Sequence, residues 1–183
     1  MCKDAIRSQM KSMRKSLSAD FICDASRTIT DTLINIDDVK NAECIMIYLS
    51  SFNEPDTFGL LNLMQDSGKK IIVPVSDTDT FTITPSLITS VSDLIRGAYG
   101  IYEPSEIIPV HINEIDVALI PGIAFSKNRD RLGFGKGYYD RFLAEFTGTK
   151  IGIGYDFQIR NNIPVSDHDV KMDLIVTEKR IYR

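Results

Sequence analysis

Cys44-Ile45-Met46-Ile47-Tyr48-Leu49 is an unbroken apolar run of strand length. A strand with one wet face alternates apolar and polar residues, whereas a continuous run is the pattern of a strand covered on both faces. The residues that follow extend this reading. Phe58, Leu61 and Met64 recur at helical spacing within 57–66, Gly68 is placed to stop that helix, and 70–75 is a second strand. The three segments make a β-α-β unit. A third buried strand, 116–120, ends in Pro121-Gly122, and 150–154 and 173–176 are two more short strands. Residues 81–84 are a weaker, alternating strand, while 89–113, with Gly97, Gly100, Pro104 and Pro109, predict mostly loop.

Upstream of the run, Ile6, Met10, Met13 and Leu17 fall at helical spacing, with Lys3, Arg7, Lys11 and Arg14 on another face, which predicts an amphipathic helix. Ser18 caps a second helix that carries Ile22, Ala25, Ile29 and Leu33 on one face and ends near Asn35. Strands alternating with helices predict an α/β fold: a mostly parallel sheet with helices on both faces. No repeat, low-complexity tract or linker interrupts residues 1–183, so a single domain is expected.

Composition narrows the function classes. A hydrophobic share of 43% and a charged share of 25% are those of an ordinary globular protein and exclude a disordered or membrane-embedded class. The net charge of −4 argues against nucleic acid as a partner, although a local basic patch can still hold a small phosphate ligand. Cys2, Cys23 and Cys44 are three widely spaced thiols without a CxxC pair. They suit a reducing, cytoplasmic setting, and any metal site would have to use oxygen ligands. The N-terminal segment mixes charges with single apolar residues and reads neither as a signal peptide nor as a membrane span.

The densest chemical signal is Arg131-Leu132-Gly133-Phe134-Gly135-Lys136-Gly137-Tyr138-Tyr139-Asp140, which runs from a loop into a helix expected over about 137–146. Three glycines at alternate positions let an anion approach backbone N–H groups, the helix N-terminus adds its positive dipole end, and Arg131 and Lys136 add two full charges. Such a loop suits phosphate. It is not a P-loop, because Gly137 stands where Ser or Thr would follow Gly-Lys, and it is not GxGxxG. A flexible glycine turn with solvated charges is the alternative.

Pro121-Gly-Ile-Ala-Phe125 leading to Arg131-Leu-Gly-Phe-Gly-Lys-Gly-Tyr-Tyr-Asp-Arg141 closely resembles the signature of the 5-formyltetrahydrofolate cyclo-ligase family. The resemblance extends to Lys3 and Arg7, Glu54 with Thr57, Gly100-Ile101 with Glu103-Pro104, Gln158-Ile159, and Asp169 with Asp173, in the family's order along nearly the whole chain. It implies the α/β fold that the family shares with sugar-phosphate isomerases and coenzyme A transferases. It also implies an ATP- and Mg2+-dependent closure of 5-formyltetrahydrofolate to 5,10-methenyltetrahydrofolate, with small-molecule partners only.

By position, the resemblance makes Arg131, Leu132, Gly133, Phe134, Gly135, Lys136, Gly137, Tyr138 and Tyr139 the ATP-binding loop, with Phe134 to Tyr138 also bordering the folate. Lys136 and Arg131 are expected to stabilise charge on the transferring phosphoryl group. Lys3 and Arg7 resemble a basic pair that reaches the nucleotide phosphates, although alone they read as an exposed i, i+4 pair. Leu49 and Glu54 match folate-contacting positions, and Asp140 and Asp169 match magnesium ligands. The alternatives are a solvated loop carboxylate for Glu54, a helix-dipole partner for Asp140 and a turn residue for Asp169. One of Tyr138 and Tyr139 is expected to stack on a ligand ring and the other to anchor its helix.

The chain departs from the family's pattern at Ser126, usually Asp, and at Arg129, usually Gly. The loss of a carboxylate tether and of a glycine predicts an altered path for 126–130. That departure is also the one feature favouring a binding protein without turnover. A sugar-phosphate isomerase or acyl transferase on the same fold has no motif of its own in this sequence.

Overall fold

A computed structural model describes residues 2–97, 101–166 and 168–183. Helix α1 (Lys3–Lys15) carries Asp4 in its first turn and Arg14 and Lys15 in its last, complementing the helix dipole. Helix α2 (Ala19–Leu33) is capped by Ser18, whose hydroxyl accepts from the Phe21 N–H at 3.2 Å. The short α3 (Asp37–Asn41) leads to strand β1 (Cys44–Ile47), helix α4 (Phe58–Asp66) and strand β2 (Lys70–Asp77). The Asp77 carboxylate accepts the N–H groups of Asp79 and Thr80, and the chain turns back into β3 (Thr82–Ile88). Then come the hairpin of β4 (Leu94–Arg96) and β5 (Tyr102–Pro104), and β6 (Val117–Pro121), β7 (Ala124–Ser126) and β8 (Arg131–Leu132). Helix α5 (Tyr138–Glu145) and strands β9 (Thr149–Ile153), β10 (Ile159–Arg160), β11 (Leu174–Val176) and β12 (Ile181–Tyr182) follow.

Seven strands form the main sheet in the order β12-β11-β9-β6-β1-β2-β3. The inner five run parallel, and β12 and β3 close the edges antiparallel. Strand periodicity sorts the apolar run onto two faces: Ile45 and Ile47 join α2 and α4 through Ile29, Leu33, Leu61 and Met64, while Cys44 and Met46 join α5 through Phe142 and Phe146. Val117 and Leu119 of β6 likewise face the first cluster, Ala118 and Ile120 the second. Both faces are covered, which is why the run lacks alternating polar residues.

A smaller sheet, β10-β7-β8, carries the segment between Pro121 and the glycines. Helix α1 packs on it, with Ile6 and Met10 against Ile123, Ala124 and Leu132. Gln158, fully buried, fastens it: its side-chain amide donates to the carbonyls of Gly122 (2.8 Å) and Ile123 (2.9 Å) and accepts from the Tyr155 N–H.

Several expectations are corrected. Residues 89–113 are mostly irregular, as expected, but also contain the unforeseen β4–β5 hairpin; Gly100 lies outside the described residues. Phe81 is not in a strand but in the turn before β3, at φ 56°. Arg131 and Leu132 form a short strand rather than loop. On α1 the buried face is Ile6, Met10 and Arg14, whereas Met13 is exposed. The 126–130 turn has an intact tether: the Ser126 hydroxyl donates to Asp130 Oδ2 at 2.6 Å and accepts from the Asn128 and Asp130 N–H groups. Arg129 adopts the positive φ (68°) that glycine would take without strain, and its guanidinium donates to the Asp173 carbonyl at 3.0 Å.

Candidate active site

The chain leaves β1 toward β2 on one side and later returns to β6 on the other, so strand order reverses between β1 and β6. In an open α/β sheet a crevice opens at the carboxyl ends of the strands at such a reversal. A cavity of about 300 Å³ lies there, lined by Tyr48 and Leu49 beyond β1, Pro121 at the end of β6, and Pro74 and Ser76 of β2. Residues 133–140 line it on the α5 side, and Ser51, Phe52 and Glu54 complete the lining after β1.

The glycine-rich segment gets its shape from its ends. Strand β8 fixes the start, and Gly137 at φ 77° turns the chain into α5, with Gly135 at φ 102° before it. These two conformations are strained for any residue with a Cβ. Arg7 braces the loop from α1, donating from Nε to the Gly133 carbonyl at 2.9 Å while its Nη1 pairs with Asp4. Arg7 is therefore half-buried against the loop rather than solvent-facing.

Arg131 is buried at the cavity wall. Its Nη2 pairs with Asp140 Oδ1 at 2.6 Å, its Nη1 donates to the Pro121 carbonyl, and its guanidinium lies 5.4 Å from the Tyr139 ring centroid. Lys136 is exposed, its ammonium 5.6 Å from the Phe81 ring centroid. Tyr138 and Tyr139 both line the cavity; Tyr139 also packs in the α5-side core, and Tyr138 lies 5.8 Å from the Phe81 ring. Burial pushes the Tyr139 phenol up, with Glu54 adding to the effect and Arg131 opposing it, so it stays protonated at neutral pH.

Glu54 is buried, not solvated. Its Oε1 pairs with Arg14 Nη1 at 3.3 Å and its Oε2 accepts the Ser51 N–H at 3.1 Å. Burial raises its carboxyl above the ordinary range, against the pull of Arg14 and the Ser51 bond. Leu49 is buried beside it at the end of the apolar run. Arg14 and Phe52 are functional candidates that sequence reasoning missed. Arg14 was detectable, because it continues the i, i+4 series of Ile6 and Met10.

The two carboxylates expected to bind metal each have a cationic partner. Asp140 lines the cavity and is held by Arg131, whereas Asp169 accepts from Lys3 Nζ at 2.8 Å and the Ser166 N–H at 2.7 Å, outside the cavity lining. Among the described residues no group of three or more His, Cys, Asp or Glu is placed to hold a metal ion. Mg2+ keeps waters and shares substrate phosphates with one or two carboxylates, so this donor set fits Mg2+ better than a cation caged by protein alone. No helix among the described residues is long and apolar enough to cross a membrane.

A mostly parallel α/β sheet with a glycine-rich, cation-flanked loop at its strand reversal belongs to the class of α/β proteins that take ligands at the carboxyl ends of their strands. Within that class, the chain belongs to the 5-formyltetrahydrofolate cyclo-ligase family, a family of enzymes, whose model matches residues 1–178. The 5-formyltetrahydrofolate cyclo-ligase of Saccharomyces cerevisiae is 32% identical over 203 residues, covering 95% of this chain and 94% of its own. That of Mus musculus is 26% identical, with 96% and 93% covered. The NMR structure of Aquifex aeolicus 5,10-methenyltetrahydrofolate synthetase superposes with a TM-score of 0.89 at 32% identity, covering all of this chain and 93% of that one. The synthetase from Mycoplasma pneumoniae gives 0.79 at 28% identity, with 97% and 99% covered.

Proposed function

We propose that this enzyme closes 5-formyltetrahydrofolate to 5,10-methenyltetrahydrofolate at the expense of ATP, releasing ADP and phosphate. The observation that carries the reading is one cavity whose two walls differ in chemistry: an anion-accepting glycine loop with Arg131 on one side, and a buried carboxylate, Glu54, with Leu49 on the other. Family membership and the curated relatives' names support the same reaction. The fold likeness to sugar-phosphate isomerases and coenzyme A transferases belongs to the same reading and is supported by the five-strand parallel centre.

A formyl amide carbon is a poor electrophile. Its oxygen first takes the γ-phosphoryl group of ATP, N10 then attacks the activated carbon, and phosphate leaves as N10 loses its proton. The residues supply alignment and charge. The N–H groups of the loop and the N-terminus of α5 receive phosphate oxygens. Arg131, fixed by Asp140, the Pro121 carbonyl and Tyr139, presents its charge at a set place, and the exposed Lys136 is free to swing onto the transferring group. Lys3 and Arg7 add charge behind the loop. Glu54 accepts N–H groups of the reduced pterin, for which an ionised carboxylate is suited. Asp140 and Asp169 would hold Mg2+, which when bound neutralises charge on the nucleotide phosphates.

The 126–130 turn, the one feature that favoured binding without turnover, keeps its tether through Ser126 and its positive φ at Arg129. Mixing the protein with 5-formyltetrahydrofolate, Mg2+ and ATP is expected to raise the near-ultraviolet absorbance of methenyltetrahydrofolate, and omission of ATP to abolish the rise. Binding of both ligands without any rise would overturn the proposal.

A further inference from the structure

We propose that Arg14 is the positioning residue of the folate wall: from α1 it holds the Glu54 carboxylate and the 51–54 turn in the one arrangement that can receive a reduced pterin. The inference rests on the reading of Glu54 as a folate contact and extends it to a residue outside the cavity lining.

Arg14 is 3% exposed and Glu54 7%. A buried cation has to be satisfied on all sides, and Arg14 is satisfied by the cavity wall itself. Its Nη1 reaches Glu54 Oε1, its Nη2 donates to the Phe52 carbonyl at 2.7 Å and the Ser51 carbonyl at 3.3 Å, and its Nε also donates to Phe52. In return the Asn53 side-chain amide donates to the Arg14 carbonyl at 3.0 Å. The turn so gripped is strained, with Phe52 at φ 50° and Asn53 at φ 58°, neither a glycine. Strain of this kind persists only where surrounding contacts over-determine the backbone, and it collects at ligand sites. The guanidinium also lies 5.9 Å from the ring centroid of Phe134 in the glycine loop, so one side chain touches both walls.

Glu54 faces four titratable or charged groups: Arg14 from α1, Tyr48 after β1, Tyr139 of α5, and Tyr155. Burial raises all three phenols, so they are neutral at working pH, and Arg14 is the cation that opposes the effect of burial on this carboxylate. Without it, burial acts on Glu54 unopposed by a charge, and the acceptor protonates closer to neutrality.

The test is calorimetric binding of 5-formyltetrahydrofolate and, separately, of Mg-ATP to the full chain over a pH series from about 6.5 to about 9, in which a carboxyl raised by burial shows as pH-dependent binding. The proteins are wild type, Arg14→Met, Arg14→Lys, Glu54→Gln and the Arg14→Met/Glu54→Gln double variant. Arg14→Met is expected to weaken folate binding roughly tenfold at neutral pH, with the loss shrinking as pH rises, and to leave Mg-ATP binding within about twofold. Arg14→Lys, which keeps the charge but not the fork, falls between the two and carries the same pH test if Arg14→Met does not fold. In the Glu54→Gln background, Arg14→Met costs less than in wild type and without the pH dependence, because only its hold on the Ser51 and Phe52 carbonyls remains to be lost. Equal loss of both ligands, a loss independent of pH, or full additivity in the double variant would overturn the role of Arg14 alone. Wild-type folate binding by Glu54→Gln would overturn the reading of Glu54 and the inference with it.

Discussion

Gly137→Ala isolates the glycine loop. Gly137 sits at φ 77° as the residue from which α5 starts. Placing an L-residue in the left-handed region costs about 1–2 kcal/mol, and the smaller unfolded-state entropy of Ala returns about 0.4–1, leaving a net cost of about 1 kcal/mol. Sterics add little. The new Cβ would lie 2.9 Å from Arg141 Nη1, the far end of a flexible side chain. For a chain of this size the expected fall in Tm is about 2–4 °C. Turnover should suffer more, because relaxing the strain rotates the N–H groups at the start of α5, and a shift of about 1 Å in a positioned group can cost on the order of 100-fold. Gly59→Ala is the control: Gly59 is exposed in α4 with nothing within 4 Å of an added Cβ, so the substitution should stabilise by about 0.5 kcal/mol and leave turnover alone. Thermal unfolding and the methenyltetrahydrofolate absorbance assay read both quantities. Unchanged Tm and turnover in Gly137→Ala would refute the reasoning.

Three further outcomes are expected. Lys136→Ala, at an exposed side chain, should move stability by less than about 0.5 kcal/mol while lowering turnover on the order of 100-fold or more; retained turnover in the absorbance assay would remove Lys136 from the phosphoryl site. Ser126→Ala takes away a fully buried hydroxyl that serves Asn128 and Asp130, and denaturant unfolding should record a loss of about 1–3 kcal/mol. Burial tends to raise the Asp130 carboxyl, but the Ser126 hydroxyl and Lys171 more than offset it, so its folded-state value lies below the ordinary one. Its contribution to stability is therefore present above about pH 4 and lost as pH falls through the folded value. Asp130→Asn should lower stability at neutral pH and flatten the acid limb of a stability-against-pH curve.

The central sheet was legible where residues were buried on both faces. Cys44–Ile47, 70–75 and 116–120 have no alternation to mislead, and each became a parallel inner strand. Elements of two to five residues, such as α3, β10 and β12, are too short to show a period. The β4–β5 hairpin was hidden by its density of turn residues. Arg14 was misread for a different reason: charge was taken to mean solvent, yet its partners Glu54 and the 51–52 carbonyls come from a turn about 40 residues away, and nothing local announces them. The glycine loop was legible because its chemistry is contiguous. The ion pair of Lys3 with Asp169 was not, because it joins residues 166 positions apart.

The central claim is that ATP and the formyl group meet in this one cavity so that the γ-phosphoryl group passes to the formyl oxygen. The most direct measurement is a turnover with 5-formyltetrahydrofolate carrying 18O in its formyl group, followed by mass analysis of the released phosphate. The released phosphate is expected to gain one 18O per methenyltetrahydrofolate formed; unlabelled phosphate alongside product would rule out phosphoryl transfer to the formyl oxygen.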